Sequence, residues 1–172
     1  MPDSPLSTLL AALLPADGWE PLPGGECWRR DAKLDPGGSV PLPVALALVP
    51  LGGDPLAPLV FTATVPAPVR PPRRAGALLA AFSSERVAVG TVEVSGGRVR
   101  YRLAHDPAVA PHSVETIRGL VKAGTARAEE SLSDALFALA AAGMTVGRGA
   151  RARSERFTYT SPDQIRFHRD ND

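Results

Sequence analysis

Residues 87 to 103 alternate in steps of two about a glycine pair, and this stretch constrains the fold more than any other. Val87, Val89, Thr91 and Glu93 alternate with Ala88, Gly90, Val92 and Val94; Ser95-Gly96-Gly97 follows, and then Val99, Tyr101 and Leu103 alternate with Arg98, Arg100 and Arg102. A period of two belongs to a strand, because successive side chains leave opposite faces of the pleated backbone. A Gly-Gly pair between two such runs is a hairpin turn. The pattern predicts an antiparallel pair whose apolar face packs inward and whose arginine face looks at solvent or a partner.

The elements around this hairpin are read from punctuation and period. Ser4-Pro5 makes a plausible cap and first helical residue, and Leu6, Leu9, Leu10, Leu13 and Leu14 share one helical face before Pro15 stops it. Three extended runs follow, at Glu26 to Lys33, Val40 to Val49 and Leu59 to Val65. They are separated by Asp35-Pro36-Gly37-Gly38 and Gly52-Gly53-Asp54-Pro55, as in a three-stranded antiparallel meander. Pro66, Pro68, Pro71 and Pro72 then predict a break, with a second helix starting near Pro72, whose apolar set is Ala75, Leu78, Leu79 and Phe82, and ending by Ser84. After the hairpin, Ser113 caps a long helix with Glu115 in its first turn. Its stripe is Ile117, Leu120, Val121, Gly124, Ala128, Leu132, Ala135, Leu136 and Leu139, and Gly143 ends it. Gly119 and Gly124 cost that helix stability unless something packs closely against them.

The expected class is therefore α+β: helix, three-stranded meander, helix, two-stranded hairpin, long helix, with an open antiparallel sheet and helices packed on it. The 172 residues suit one domain, placed at 1-143. From 144 to 172 the sequence becomes polar and arginine-rich, and it reads as an appendage of which Phe157, Tyr159, Ile165 and Phe167 dock a part as an added strand.

Composition narrows the chemistry. Nineteen Lys and Arg against 18 Asp and Glu leave a formal charge of +1, so no overall field favours nucleic acid or a membrane surface. A single cysteine, Cys27, excludes an internal disulfide and a Cys-rich metal site. His105, His112 and His168 are dispersed, without metal-ligand spacing. His105, Asp106 and Ser113 supply the residue types of a hydrolytic triad, but no nucleophile elbow accompanies them. The glycine pairs link extended runs and read as turns rather than phosphate loops, and the adjacent Glu129 and Glu130 diverge on their helix. These features predict a binding protein without catalytic residues, cofactor or metal. The N-terminus lacks a cationic signal region, and the proline-interrupted run from Val40 to Leu51 is too short to span a bilayer, so a cytoplasmic location is expected.

Arginines are the remaining candidates for contact. Arg98, Arg100 and Arg102 project from one strand face, and Arg148, Arg151, Arg153 and Arg156 cluster in the tail beside Phe157 and Tyr159. Such a set suits a protein partner or, as the alternative, single-stranded nucleic acid held by stacking and phosphate contacts.

The order of elements resembles that of the YbjN family and of the class I type III secretion chaperones. The likeness is carried by Leu78-Leu79-Ala80-Ala81-Phe82, Val87-Ala88-Val89-Gly90-Thr91-Val92-Glu93-Val94, the Gly96-Gly97 turn, Val99-Arg100-Tyr101-Arg102-Leu103 and Ser113-Val114-Glu115-Thr116-Ile117. Ser83 and Ser84 stand where the family often has Asn. The resemblance implies a non-enzymatic, chaperone-like adaptor, a homodimer that holds a client protein through sheet edges and apolar patches, with a link to stress regulation.

Overall fold

The computed structural model describes residues 5–24, 27–35, 41–52 and 56–147, together with the backbone of 155–161 and 164–169. It is α+β. Helix α1 (Pro5–Leu13) and a 3-10 turn (Pro15–Asp17) precede β1 (Glu20–Pro21), β2 (Trp28–Leu34), β3 (Leu42–Pro50) and β4 (Leu59–Arg70). Helix α2 (Pro72–Arg86), the hairpin β5 (Thr91–Ser95) and β6 (Arg98–His105), and helix α3 (Val114–Ala141) follow. Strands β7 (Thr145–Gly147), β8 (Glu155–Ser161) and β9 (Gln164–Arg169) complete the order.

All pairings are antiparallel. Strand β4 is central, with β3 on one side and β6 on the other, so that the order is β1-β2-β3-β4-β6-β5. The far end of β4 runs past its last β3 partner at Thr64, keeps Pro68 beside Arg98 of β6, and pairs with β7 through Val69↔Val146 and Arg70↔Thr145, and β8 and β9 extend the ladder beyond β7. Met144 and Val146 are buried in the same core as the sheet, so the polar composition after Gly143 begins within a strand.

One face of the sheet makes the core. Register places Trp28, Leu48, Phe61 and Leu103 in one row, and β3 alternates strictly, with Leu42, Val44, Leu46 and Leu48 buried. The helices lie on this face. Leu6, Leu10, Leu13 and Leu14 turn inward from α1 and its end, Gly76 of α2 approaches Val94, and Gly124 of α3 sits on the Phe61 ring. The predicted α3 stripe is buried except for Val121, which is half-buried. Ser113 caps the helix in a capping box with Thr116, and Gly143 follows its end at φ +74°.

Three local expectations change. Strand β4 does not break at Val65 but runs on through Pro66 and Pro68 to Arg70. Proline suits extended backbone, and the missing N–H groups fall where the β4–β6 register shifts, between Thr64 and Pro68. Helix α2 does not end by Ser84 but continues to Arg86, where the Val87 N–H donates to Ser83 O. The first hairpin strand starts at Thr91 rather than Val87. Gly90 adopts φ +83°, a turn conformation that interrupts the ladder, and Val89 is left 45% exposed.

Candidate protein-binding surface

The face of the sheet opposite the helices carries the predicted arginines. Arg98, Arg100 and Arg102 of β6 share it with Val60, Thr62 and Thr64 of β4, Ala45, Ala47 and Val49 of β3, and Arg29, Asp31 and Lys33 of β2. Val60 and Thr62 are buried among their neighbours, while Ala45, Ala47, Val49 and Thr64 are half-buried. The result is a low apolar strip between two charged margins. Strand pairing puts small and β-branched side chains side by side there, which leaves the strip shallow.

The arginine margin is partly engaged within the molecule. Arg98 Nε donates to the Pro66 carbonyl at 2.8 Å. Arg100 Nε donates to Glu93 Oε1 at 3.0 Å, and its Nη2 reaches the same oxygen from the paired strand. Arg102 forms no ion pair among the described residues. On the other margin Arg29 and Asp31 form an ion pair at 2.9 Å. The margins hold Arg29, Lys33, Arg98, Arg100 and Arg102 against Asp31 and Glu93, an excess of cations that suits an acidic partner. Arg148, Arg151 and Arg153 lie outside the described residues. Arg156 is in β8, opposite Gly147 and His168 in register.

The two edges beside this face differ. At β5 the Val92 N–H points away from β6 and donates to Ser83 Oγ at 2.9 Å, so α2 covers that edge. At β2 the cover is short, because β1 pairs only with Trp28 and Arg29. Leu22 N–H donates to Cys27 O, and the alternation of a strand then directs the N–H and C=O of Asp31 and Lys33 outward. Pro43 lies opposite Lys33, a pairing that asks no N–H of the proline toward β2. The sequence marked the strands but not this asymmetry; a two-residue β1 and a serine in α2 carry no edge signal of their own.

The histidines are placed structurally. His105 Nε2 and His112 Nε2 bond the carbonyls of Ala110 and Ala57 at 2.8 and 2.9 Å, and their ring centroids are 5.4 Å apart. They fasten the β6–α3 loop to the start of β4. Asp106 accepts from the Ala108 N–H within that loop, and Ser113 is used as a cap, so the structure does not assemble a triad from them. Among the described residues, no three of His, Cys, Asp and Glu gather to hold a metal, and no helix is long and apolar enough to cross a membrane. No protein-family model matches the chain, and no curated protein is significantly similar to it.

Proposed function

We propose that the protein is a non-enzymatic, chaperone-like adaptor that binds an extended segment of a partner protein by adding it to β2. The observation that carries this reading is the outward backbone of Asp31 and Lys33 beside the shallow apolar strip of the helix-free face. A strand laid there gains ladder hydrogen bonds, while its alternate side chains reach the strip or the basic margin. The charges of Arg29, Asp31 and Lys33 restrain unselective pairing of the edge. The same edge offers a route to a homodimer by β2–β2 pairing about a two-fold axis, in which the partner segment displaces the second copy.

The test is a Lys33→Pro variant, which removes one outward N–H and leaves the β3 pairing intact. Light scattering at micromolar concentration is expected to give a dimer for the wild type and a monomer for the variant, and cross-linking in extracts to recover a partner with the wild type only. A monomeric wild type that cross-links to no protein defeats the reading. Salt-sensitive fluorescence anisotropy with single-stranded DNA, lost in Arg102→Ala, would replace it with nucleic-acid binding.

A further inference from the structure

On the helix side of the sheet, remote from the strip just described, a cleft of about 560 Å³ opens between the end of α1 and α3. Its walls are apolar, formed by Leu13, Leu14, Ile117 and Val121. Its floor holds an anomaly. Arg30 occupies a core-facing position of β2, in register with Leu46 and Ala63, where its neighbours Trp28 and Leu34 are buried hydrophobes. Its guanidinium lies 5.1 Å from the Trp19 ring centroid and donates to the Asp17 carbonyl at 3.1 Å. The aromatic face and the carbonyl hold the charge in place at the cleft.

A second observation comes from α3. Arg118 and Lys122 stand one helical turn apart on the cleft, and neither forms an ion pair among the described residues. Like charges at this spacing repel each other. Asp17 and Glu129 also line the cleft, so three cations face two carboxylates, and an anion is the occupant that relieves the imbalance. The volume falls in the range of small-molecule sites.

From the apolar walls, the fixed guanidinium and the cationic pair together, we infer that this cleft binds a small amphipathic carboxylate, with its aliphatic tail against Leu13, Leu14, Ile117 and Val121 and its head group at Arg30, Arg118 and Lys122. This site does not depend on the partner-binding reading, which uses the outward backbone of β2 and the opposite face of the sheet.

Decanoate is the probe, with decyltrimethylammonium as a ligand of the same tail and opposite charge, each below its micelle concentration. Trp19 lines the cleft, so tryptophan emission reports occupancy. Decanoate is expected to shift the emission saturably. The double variant Arg118→Gln/Lys122→Gln, whose sites are exposed and whose circular dichroism should match the wild type, is expected to weaken binding by about tenfold or more. No saturable response to decanoate at millimolar concentration overturns the inference, as does equal binding of the cationic probe or unchanged affinity in the double variant. A response to an acidic amphipathic peptide without one to decanoate overturns it in favour of a polypeptide occupant.

Discussion

Gly119 and Gly124 are chemically identical and five residues apart on α3, yet they stand in opposite surroundings. A Cβ at Gly124 would come within 2.5 Å of the Phe61 ring, whereas one at Gly119 meets nothing within 4 Å. Gly124 is therefore a packing requirement, and Gly119 is a helix defect facing solvent. Gly119→Ala should raise the unfolding free energy by about 1 kcal/mol, from helix propensity alone. Gly124→Ala should lower it by about 1–3 kcal/mol, through overpacking, and Phe61→Leu should recover part of that loss in the double variant. Urea melts of the four proteins test this; a Gly124→Ala protein as stable as the wild type would refute the close contact. The helical period places Gly124, and not Gly119, in the inward stripe, but what lies against it comes from β4, a strand more than fifty residues earlier, and only the tertiary structure shows how close the Phe61 ring stands. Arg30 teaches the converse. Alternation along β2 puts it on the face of Trp28, Ala32 and Leu34, away from Arg29 and Lys33, but nothing in the local string shows what its charge meets there.

At the scale of elements, prolines and serines acquired roles that depend on the strand beside them. Pro66 and Pro68 signal a break when the segment is read by itself, but β4 is held on both sides by β3 and β6 up to Thr64, and its far end is taken up by β7. Extended backbone costs proline nothing there. Ser83 reads as an ordinary helix residue, yet its hydroxyl accepts the outward Val92 N–H and closes the β5 edge. Ser83→Ala leaves that N–H without this partner. We expect a loss of about 1 kcal/mol in stability and, with the edge uncovered, concentration-dependent self-association measurable by light scattering. An alanine variant unchanged in both respects would show that packing of α2 suffices to cover β5. The long helix and the β6 strand were legible in advance because their apolar periods span many residues. The two-residue β1 was not, since a ladder that short leaves no period to read.

For the molecule as a whole, Tyr101 ties the hairpin to the rest. Its side chain is fully buried, and its hydroxyl donates to the Val89 carbonyl at 2.9 Å. Burial raises its pKa above the ordinary phenol value, with the Arg127 guanidinium pulling it back. The unfolded chain ionises this phenol near pH ~10, while the folded chain keeps the proton to higher pH. The corresponding stability is thus fully present below the unfolded value and is lost as pH rises through the folded one. Chemical melts between neutral and strongly alkaline pH should show a steeper alkaline decline for the wild type than for Tyr101→Phe, and parallel declines would contradict the burial argument.

The amino-acid sequence by itself determined the α+β class, the three helices with their inward stripes, and the hairpin with its arginine face, because each rests on a local period or a local punctuation mark. Tertiary structure decided which edge is covered, how the arginines are spent, and where cations and apolar walls converge. Those outcomes depend on residues distant in sequence: Ser83 meeting Val92, Arg98 meeting Pro66, Arg30 meeting Trp19 and the α3 cations. Hydrogen bonds and charge pairing act over a few ångströms of space, irrespective of chain separation, so the candidate sites became visible only once the strands were in register and the helices were laid on one face.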